Sequence, residues 1–388
     1  MKRILFVAWD GPQSTYLEGL FLPILAGLAK SGFAFSVLQF TWGDHAASDS
    51  AARACAAHAI AYRRVDVWRA GAPGALASAV AGGRQVDRAI ADWRIDTVMP
   101  RSLMPALAVI LAPRGRNLPM IFDADGLPAD ERVDHGALSP TSPVYRLFRL
   151  IERRATMRSR AVLVRTSETI PVLAERAALH PEDRRFHIVS NGRDPAPFLA
   201  SPSVAADTER PRLCYLGSVG PQYEPGRMLR LVTALKDHLP GLQLEFFTGD
   251  LEAAHSVVKA AGLDPAADWL RIARLPADAV APGLARQDIG LAPRASSLSM
   301  SAVSPIKLGD YMLAGMPVIG SGKVGPVAPM LEAGCLMPDD QPIEAIAAFV
   351  RKVLDNREAL RQRCRMVGLA HFSLARSITD YEEALREL

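Results

Sequence analysis

A lysine and an aspartate lie three residues apart in the segment SPIKLGDYMLAGMPVIG (residues 304–320) and are candidates for binding or catalysis. Lys307 lies in the first turn of a predicted helix, where free N–H groups and the positive end of the helix dipole attract anions. Asp310 follows three residues later and shares a face with Lys307. This face offers a cation for a diphosphate and a carboxylate for hydroxyl groups such as those of ribose. A capped helix with a solvated lysine and aspartate has the same local pattern.

The helix itself is predicted from its ends. Ser304 is typical of an N-cap and Pro305 of the first helical position, so the backbone from Ser304 through Pro305 to Ile306 faces the anion. Gly315 is predicted to end the helix in a left-handed conformation, and the apolar pair after Pro317 begins a strand.

Length and composition indicate an ordinary globular protein of two or three domains, with 388 residues, 49% of them hydrophobic and 22% charged. The net charge of +4 is too small for a dedicated nucleic-acid-binding protein. Residues 1–195 carry 25 Lys and Arg against 19 Asp and Glu, so the first half is the one expected to meet an anionic surface. The four cysteines have no metal-type spacing, which favours a reducing compartment and no metal site.

The apolar run ILFVAW near the N-terminus ends at Asp10 and Gly11. It is too short for a signal peptide and is predicted to be the first strand. The longest other apolar run, near residues 20–29, falls short of the ~20 residues that span a bilayer. We therefore expect a cytoplasmic protein, with or without peripheral contact to the inner face of a membrane.

Strands and helices alternate along the whole chain, which is typical of doubly wound α/β domains with ligands at the carboxyl ends of their strands. The polar segment Ser201–Arg212 contains two prolines and is the best candidate linker, after which the alternation begins again. We predict domains at 1–200 and 201–370, with a C-terminal helix in 371–388 that packs back towards the first domain. The loop DGPQST at residues 10–15 lacks GxGxxG, which argues against an NAD enzyme.

Charged residues follow several predicted strands. Four carboxylates lie within nine residues just after the strand at 120–122, namely Asp123, Asp125, Asp130 and Glu131, and Arg101 follows the preceding strand. They form either a site for chemistry or an Asp-Gly turn with solvated charges. In the second half, a small-residue turn begins with Gly217 and Ser218 and ends with Gly220. Its two glycines either let backbone N–H groups approach a phosphate or serve the geometry of the turn alone. Arg294 follows the carboxyl end of the predicted strand 289–292 and is a further candidate for phosphate.

The predicted helix 143–160 is amphipathic and rich in arginine. Tyr145, Leu147, Leu150 and Ile151 are expected on one side, with arginines over much of the remainder. Such a face either rests on anionic lipid head groups or is simply solvated.

Four segments resemble family 4 glycosyltransferases of the GT-B fold, in which two Rossmann-like domains face each other across a cleft that holds a nucleotide-sugar. IFDADGLPADERV is similar to the family's FDxRGLxxDER segment, and IVSNGRDPAPF stands where the family crosses into its second domain. YLGSVGPQY resembles the turn against the donor phosphates. DIGLAPR followed by SPIKLGDYMLAGMPVI resembles the donor-binding core, commonly SPxKLxEYxAxGxPV. The resemblance covers essentially the whole chain.

The resemblance implies a retaining, metal-independent sugar transfer without a cofactor, from a UDP- or GDP-linked donor to a glycan, lipid-linked or small-molecule acceptor. Lys307 would hold the diphosphate, Asp310 the ribose hydroxyls, and Gly11 would lie near the transferred sugar. The acceptor would bind the first domain near Arg101 and the carboxylates at 123–131. Cell-surface polysaccharide or glycoconjugate synthesis is the implied context.

The sequence departs from the family at several positions. The usual Glu-x7-Glu pair is Ala302 and Asp310 here. Arg101 or its neighbour Pro100 stands where the family often has His, and Asp125 where it often has Arg. No general base is therefore identified. A nucleotide-sugar epimerase of the same fold and a non-catalytic GT-B scaffold subunit remain alternatives.

Overall fold

A computed structural model describes residues 1–11, 14–43, 45–68, 71–202 and 207–386, with backbone alone at 45–48. Two residues of the loop at 10–15, four residues of the predicted linker (203–206) and the last two residues of the predicted C-terminal helix lie outside this description. The chain divides into two compact units, Met1–Ser190 with Ser377–Leu388 and Asn191–Arg376.

The boundaries of the units differ from the expected 200 and 370 because the residues after Ser190 are held by the second unit. The backbone N–H of Arg193 donates to the carbonyl of Phe372 at 2.9 Å. Phe198 lies in the hydrophobic core of the second unit. In the first unit, the Ser190 N–H and hydroxyl donate to the Asp380 carboxylate at 3.0 and 2.7 Å.

The first unit is an α/β sandwich around a parallel sheet. Its strands are β1 (Lys2–Trp9), β2 (Phe33–Thr41), β3 (Ala61–Asp66), β4 (Thr97–Pro100), β5 (Ile121–Asp123), β6 (Ala161–Val164) and β7 (Phe186–Ile188). Its helices are α1 (Leu22–Leu28), α2 (His45–Ala57), α3 (Gly71–Asp92), α4 (Leu103–Leu111), α5 (Pro128–Asp134), α6 (Pro143–Arg158) and α7 (Thr169–Ala177). Short helical turns cover Leu17–Phe21, Ala29–Ser31 and Gly115–Asn117.

The second unit repeats this architecture. Its strands are β8 (Arg212–Leu216), β9 (Gln243–Phe247), β10 (Leu270–Ala273), β11 (Ile289–Ala292), β12 (Val318–Gly320) and β13 (Leu336–Pro338). Its helices are α8 (Ala196–Ala200), α9 (Pro225–His238), α10 (Leu251–Ala260), α11 (Val280–Ala285), α12 (Leu298–Ser301), α13 (Ile306–Ala314), α14 (Ala328–Glu332), α15 (Ile343–Asp355) and α16 (Arg357–His371). Short turns cover Pro221–Tyr223 and Ala277–Ala279, and α17 (Leu374–Arg386) carries the chain back into the residues of the first unit.

The strand orders are those of Rossmann-like domains. The first sheet runs β3-β2-β1-β4, and the bridges Val98–Met120 and Arg101–Asp123 continue it into β5-β6-β7. The second runs β10-β9-β8-β11-β12-β13. All named pairs are parallel, and strand residues such as Ile4–Val7 are fully buried because helices cover both faces of such a sheet. In each sheet, the loops that follow the strands therefore lie together at the carboxyl edge, where ligands of this fold bind.

The buried and exposed sides of helix α6 differ from the prediction. Phe148, Ile151 and Ala155 are buried, whereas Leu147 and Leu150 are 37% and 40% exposed. The expectation that Leu147 and Leu150 lie on one side with Ile151 is therefore wrong, because the buried stripe at positions 148, 151, 152 and 155 leaves 147 and 150 on the outer face. Within the described part of the chain, no helix combines the length and hydropathy needed to cross a membrane.

Candidate functional site

The start of helix α13 lies one residue later than predicted. Pro305 is the N-cap residue, with φ −65° and ψ 120°, and Ile306 is the first helical residue. Ser304 therefore stands one position too early to cap the helix, and no side-chain cap is formed. Its carbonyl instead accepts a hydrogen bond from the Asn191 side-chain amide at 3.0 Å. Gly315 ends the helix in the left-handed conformation, as predicted, with φ 78°.

The uncapped helix start leaves backbone donors available. The N–H of Leu308 donates to the carbonyl of Pro305 at 3.1 Å. For the N–H groups of Ile306 and Lys307, the described residues provide no hydrogen-bond acceptor. Two donors at the positive end of a helix dipole thus point out of the first turn, which is the arrangement that binds phosphate.

Lys307 is buried rather than solvated. Its side chain is 8% exposed, and its ammonium has no hydrogen-bond partner among the described residues. The Nζ atom lies 3.7 Å from the centroid of the Tyr215 ring and 5.0 Å from that of Tyr223. Burial, together with the nearby Arg294 guanidinium, holds the pKa of Lys307 well below its usual value. A buried ammonium without an acceptor among the described residues excludes the solvated alternative.

Arg294 is the second cation of this edge. Its guanidinium carbon lies 4.2 Å from the centroid of the Tyr223 ring. The side chain's hydrogen-bond contact is Nη1 to the Met300 sulfur at 4.0 Å, and the described residues supply no carboxylate partner. Arg294 and Lys307 therefore share one aromatic ring, and neither forms an ion pair with a carboxylate among the described residues.

The glycine turn after β8 approaches the ammonium closely. Gly217 has φ 140°, and a Cβ at this position would lie 2.9 Å from Lys307 Nζ. Its N–H donates to the carbonyl of Phe247 at 3.0 Å, which fixes the turn at the end of β9. The Tyr215 hydroxyl donates to the carbonyl of Ser218 at 2.7 Å. The Tyr215 side chain therefore both fixes the turn and contacts the Lys307 ammonium through its ring. Ser218 itself is exposed.

Asp310 has a partner that the sequence did not suggest. Arg193 Nε donates to Asp310 Oδ1 at 3.0 Å, and the aspartate is 6% exposed. Burial raises the pKa of the carboxyl, and the Arg193 guanidinium opposes that shift. Ala302, at the position of the family's first glutamate, is fully buried.

The residues that sequence reasoning missed here are Tyr215, Tyr223 and Arg193. All three lie within the motifs that carry the resemblance, but nothing in their spacing assigns them a role. Tyrosine in a strand is normally a core residue. The rings meet Lys307 only because β8 and α13 pack against each other, a long-range contact that leaves no local signal.

The carboxyl edge of the first unit also gathers charges, and these are paired with one another. Arg101 Nη2 lies 2.6 Å from Asp125 Oδ2, and Nη1 lies 3.4 Å from Asp10 Oδ1. The guanidinium also lies over the Phe21 ring at 4.8 Å. Burial raises the pKa of Asp10, while Arg101 opposes that shift and Asp125 adds to it. Asp10 was not predicted, although its place at the end of β1 was a usable signal.

Asp123 is the fully buried member of this edge. Arg165 Nη2 donates to both of its carboxylate oxygens at 2.8 Å, and the Arg165 side chain is 2% exposed. Burial raises the pKa of Asp123, opposed by Arg165. Asp125, with φ 53°, is a non-glycine residue in the left-handed region, a strained conformation that is concentrated at functional sites. Gly11 follows β1, beside the Trp42 ring.

Asp130 and Glu131 lie on α5, away from the strand end. Asp130 forms a two-pronged ion pair with Arg176 at 2.8 and 2.9 Å and accepts from the Tyr145 hydroxyl at 2.9 Å. Arg176 also donates to Glu152 at 3.1 Å. These bonds connect helices α5, α6 and α7. The contacts of Asp130 therefore hold the helices together. Glu131 is partly exposed in the first turn of α5.

Comparison with known proteins finds likeness in structure but not in sequence. No family model and no curated protein matches the chain. The structure of Anabaena HepE with UDP and glucose superposes with a TM-score of 0.70 at 13% identity, covering 100% of both chains. WaaG, a glycosyltransferase involved in lipopolysaccharide biosynthesis, gives 0.66 at 16% identity over 98% of both chains. A Listeria monocytogenes protein provisionally named a UDP-N-acetylglucosamine 2-epimerase gives 0.61 at 12% identity, over 99% of this chain and 96% of that one.

The chain has the GT-B fold. The strand orders of both units and the coverage of whole chains by the superpositions agree on this point. At 12–16% identity the likeness extends to the fold alone. The function must therefore be argued from the two carboxyl edges.

Proposed function

We propose that this GT-B protein is a glycosyltransferase that moves a sugar from a UDP- or GDP-linked donor to a glycan, lipid-linked or small-molecule acceptor. We further propose that transfer proceeds with retention and without a metal ion, as in family 4, and serves cell-surface polysaccharide or glycoconjugate synthesis. HepE with bound UDP and WaaG support a nucleotide-sugar chemistry for this fold.

One observation carries the proposal. Lys307 and Arg294 lie on the same Tyr223 ring, and the described residues give neither a carboxylate partner. Two neighbouring cations repel each other, so this arrangement is unfavourable until an anion with two charges arrives. The two N–H groups of α13 without an acceptor among the described residues lie in the same turn as Lys307, and the Gly217 turn approaches its ammonium, which suits a diphosphate.

The same groups account for catalysis. Negative charge accumulates on the diphosphate as the bond to the sugar breaks, and preorganised cations stabilise that charge. Lys307 and Arg294 are therefore proposed as catalytic residues, with Gly217, Ser218 and the backbone at 304–306 as donor-binding groups. Asp310, held by Arg193, is proposed to accept from the ribose hydroxyls through its second carboxylate oxygen.

The acceptor is proposed to bind the first unit at the edge formed by Arg101, Asp123 and Asp125, with Gly11 near the transferred sugar. Asp125 and Arg101 are both partly exposed, with side chains 29% and 11% accessible, so they can reach a ligand. Asp123 is completely buried and would act by orienting its neighbours. Asp130 is proposed to support the framework of the helices rather than to contact the acceptor, because its carboxylate is engaged by Arg176 and Tyr145.

Ligand-dependent unfolding tests the donor assignment. We expect UDP or GDP, and the matching nucleotide-sugar, to raise the melting temperature of the wild type, since a ligand at 100 times its Kd stabilises the folded state by about 2.7 kcal/mol. Lys307→Ala should abolish the shift, and the exposed Lys259→Ala should not. A wild type that responds to no nucleoside diphosphate or nucleotide-sugar contradicts the proposal.

Product analysis separates the alternatives. Incubation with the donor alone would yield an isomeric nucleotide-sugar if the protein were an epimerase, whereas a transferase gives only slow hydrolysis. A scaffold subunit would bind the donor but would neither isomerise nor hydrolyse it, and it would transfer the sugar to no acceptor. The anomeric configuration of a transferred product tests retention, and activity retained in EDTA tests metal independence.

Peripheral membrane contact through α6 is a further part of the proposal. Leu147, Leu150 and Met157 are exposed on its outer face at 37%, 40% and 49%, and Arg146, Arg153 and Arg154 are exposed among them. Positions 146, 147, 150, 153, 154 and 157 follow helical spacing and form one continuous stripe. Apolar side chains flanked by arginines match the interface of an anionic bilayer.

Vesicle binding tests this contact. Each arginine near an anionic surface contributes about 1 kcal/mol, so changing the three to glutamine should weaken binding to phosphatidylglycerol vesicles on the order of a hundredfold. Binding should also fall with salt. The matched control changes Arg84, Arg88 and Arg94 of the α3 region to glutamine. Equal vesicle binding by wild type and the α6 variant would contradict the assignment.

A further inference from the structure

The Tyr223 ring joins two segments of the second unit that are remote in sequence. Tyr223 ends the short turn Pro221–Tyr223 that follows β8. Its ring lies 4.2 Å from the Arg294 guanidinium, in the loop after β11, and 5.0 Å from the Lys307 ammonium on α13. A backbone hydrogen bond from Ala295 to Gln222, 3.1 Å long, ties the two loops together.

The two cations depend on this ring to different degrees. Lys307 rests on Tyr215 at 3.7 Å, and the hydroxyl of Tyr215 is fixed by its bond to Ser218. For Arg294, the other side-chain contact in the described chain is a weak one to the Met300 sulfur at 4.0 Å. Repulsion between the guanidinium and the buried ammonium would move the longer, more mobile arginine outward. The attraction of its planar group to the ring face opposes that movement.

We propose that Tyr223 is a positioning residue whose ring holds the Arg294 guanidinium beside Lys307, so that both cations meet the same diphosphate. This inference rests on the proposed donor site and deepens it, because it explains how a site with two unneutralised cations stays formed before the ligand arrives. The donor then binds without a prior rearrangement of the arginine side chain. The free energy that this rearrangement would cost is therefore available as affinity, and only for the diphosphate part of the donor.

The expected effect follows from the strength of cation–π attraction. Loss of one such contact should weaken diphosphate binding on the order of threefold to thirtyfold. The ring face provides the attraction and the hydroxyl does not. Phenylalanine at position 223 should therefore keep the affinity, whereas leucine should lose it.

Calorimetry with matched probes tests the proposal. The dissociation constants of UDP and uridine, or of GDP and guanosine if the wild type prefers guanine, are measured for wild type, Tyr223→Leu and Tyr223→Phe. We expect Tyr223→Leu to weaken nucleoside diphosphate binding and to leave nucleoside binding unchanged. Tyr223→Phe should behave as the wild type. Melting temperatures without ligand show that each variant folds.

A double-mutant cycle identifies the route of the effect. In an Arg294→Ala background, Tyr223→Leu should cost no further affinity for the diphosphate, because the side chain that the ring positions is absent. A full additional loss would overturn the proposal, as would unchanged diphosphate binding by Tyr223→Leu or an equal loss for nucleoside and diphosphate. If the wild type binds no nucleoside diphosphate, the proposed function fails and this inference fails with it. If the wild type binds the nucleoside diphosphate and Tyr223→Leu binds it equally well, this inference fails while the proposed function is retained.

Discussion

The two units place charged residues at equivalent carboxyl edges, but they balance those charges differently. In the first unit, Arg101 pairs with Asp10 and Asp125, and Arg165 pairs with Asp123. In the second, Lys307 and Arg294 meet aromatic rings rather than carboxylates. At the second edge Asp310 is paired with Arg193, whereas Lys307 and Arg294 have no carboxylate partner among the described residues. The same strand order thus produces one edge whose charges are paired and one that holds two unpaired cations.

Because of this difference, mutations at the two edges should have different effects on the stability of the fold and on ligand binding. Removing one member of a buried ion pair leaves an uncompensated charge, which destabilises the fold. Removing a buried cation that has no partner relieves an unfavourable burial, and only ligand binding suffers. The first edge should therefore respond to mutation mainly through stability and the second mainly through activity.

Arg165→Ala should have the largest effect on stability. It leaves the fully buried Asp123 without its guanidinium, which costs about 3–5 kcal/mol in the free energy of unfolding. Urea denaturation measures this loss. The exposed pair Arg63–Asp92 is the control, and Arg63→Ala should cost less than about 1 kcal/mol. Equal losses in the two variants would contradict the expectation that the buried ion pair at the first edge contributes more to stability than an exposed one.

Lys307→Ala should lower the turnover number by a factor of ~10²–10³, because it removes one preorganised charge at the leaving diphosphate. The free energy of unfolding without ligand should not fall. Transfer from the nucleotide-sugar that stabilises the wild type is the measurement. Near-normal turnover in this variant would contradict the catalytic role of the ammonium.

Gly217→Ala should weaken donor binding by about tenfold. The added Cβ would lie 2.9 Å from Lys307 Nζ, and a φ of 140° is strained for any residue other than glycine. Calorimetry with the nucleoside diphosphate measures the loss. Gly249→Ala, where a Cβ has open space within the same edge, is the matched control and should retain affinity.

Lys307→Met should give a smaller effect that depends on pH. The folded-state pKa of Lys307 is lowered, so the folded protein binds fewer protons than the unfolded chain between that pKa and about 10.5. Wild-type stability therefore rises as pH increases through this window. The variant should be more stable than wild type at pH 7, with the advantage shrinking towards pH 10.5. Thermal melts of both proteins across this range test the sign, and an advantage that grows with pH would contradict it.

The linear sequence was sufficient for the α/β alternation and the Gly315 helix end, and for the positions of Lys307 in the first turn of a helix and of Arg294 after a strand. These features depend on local rules, since helix ends, buried strands and strand-end residues all leave signals within a few residues. The Ser304 cap was predicted wrongly by one residue, because the backbone angles of Pro305, and not the residue types alone, set where the helix begins.

Only the tertiary structure showed that Lys307 is buried, that Arg193 binds Asp310, and that Tyr223 is shared by two cations. It also assigned Asp130 to a helix-joining ion cluster and turned Leu147 outward. The physical reason is the same in each case. Burial and charge pairing depend on neighbours brought together by packing between segments distant along the chain, whereas the sequence specifies residue types and local geometry.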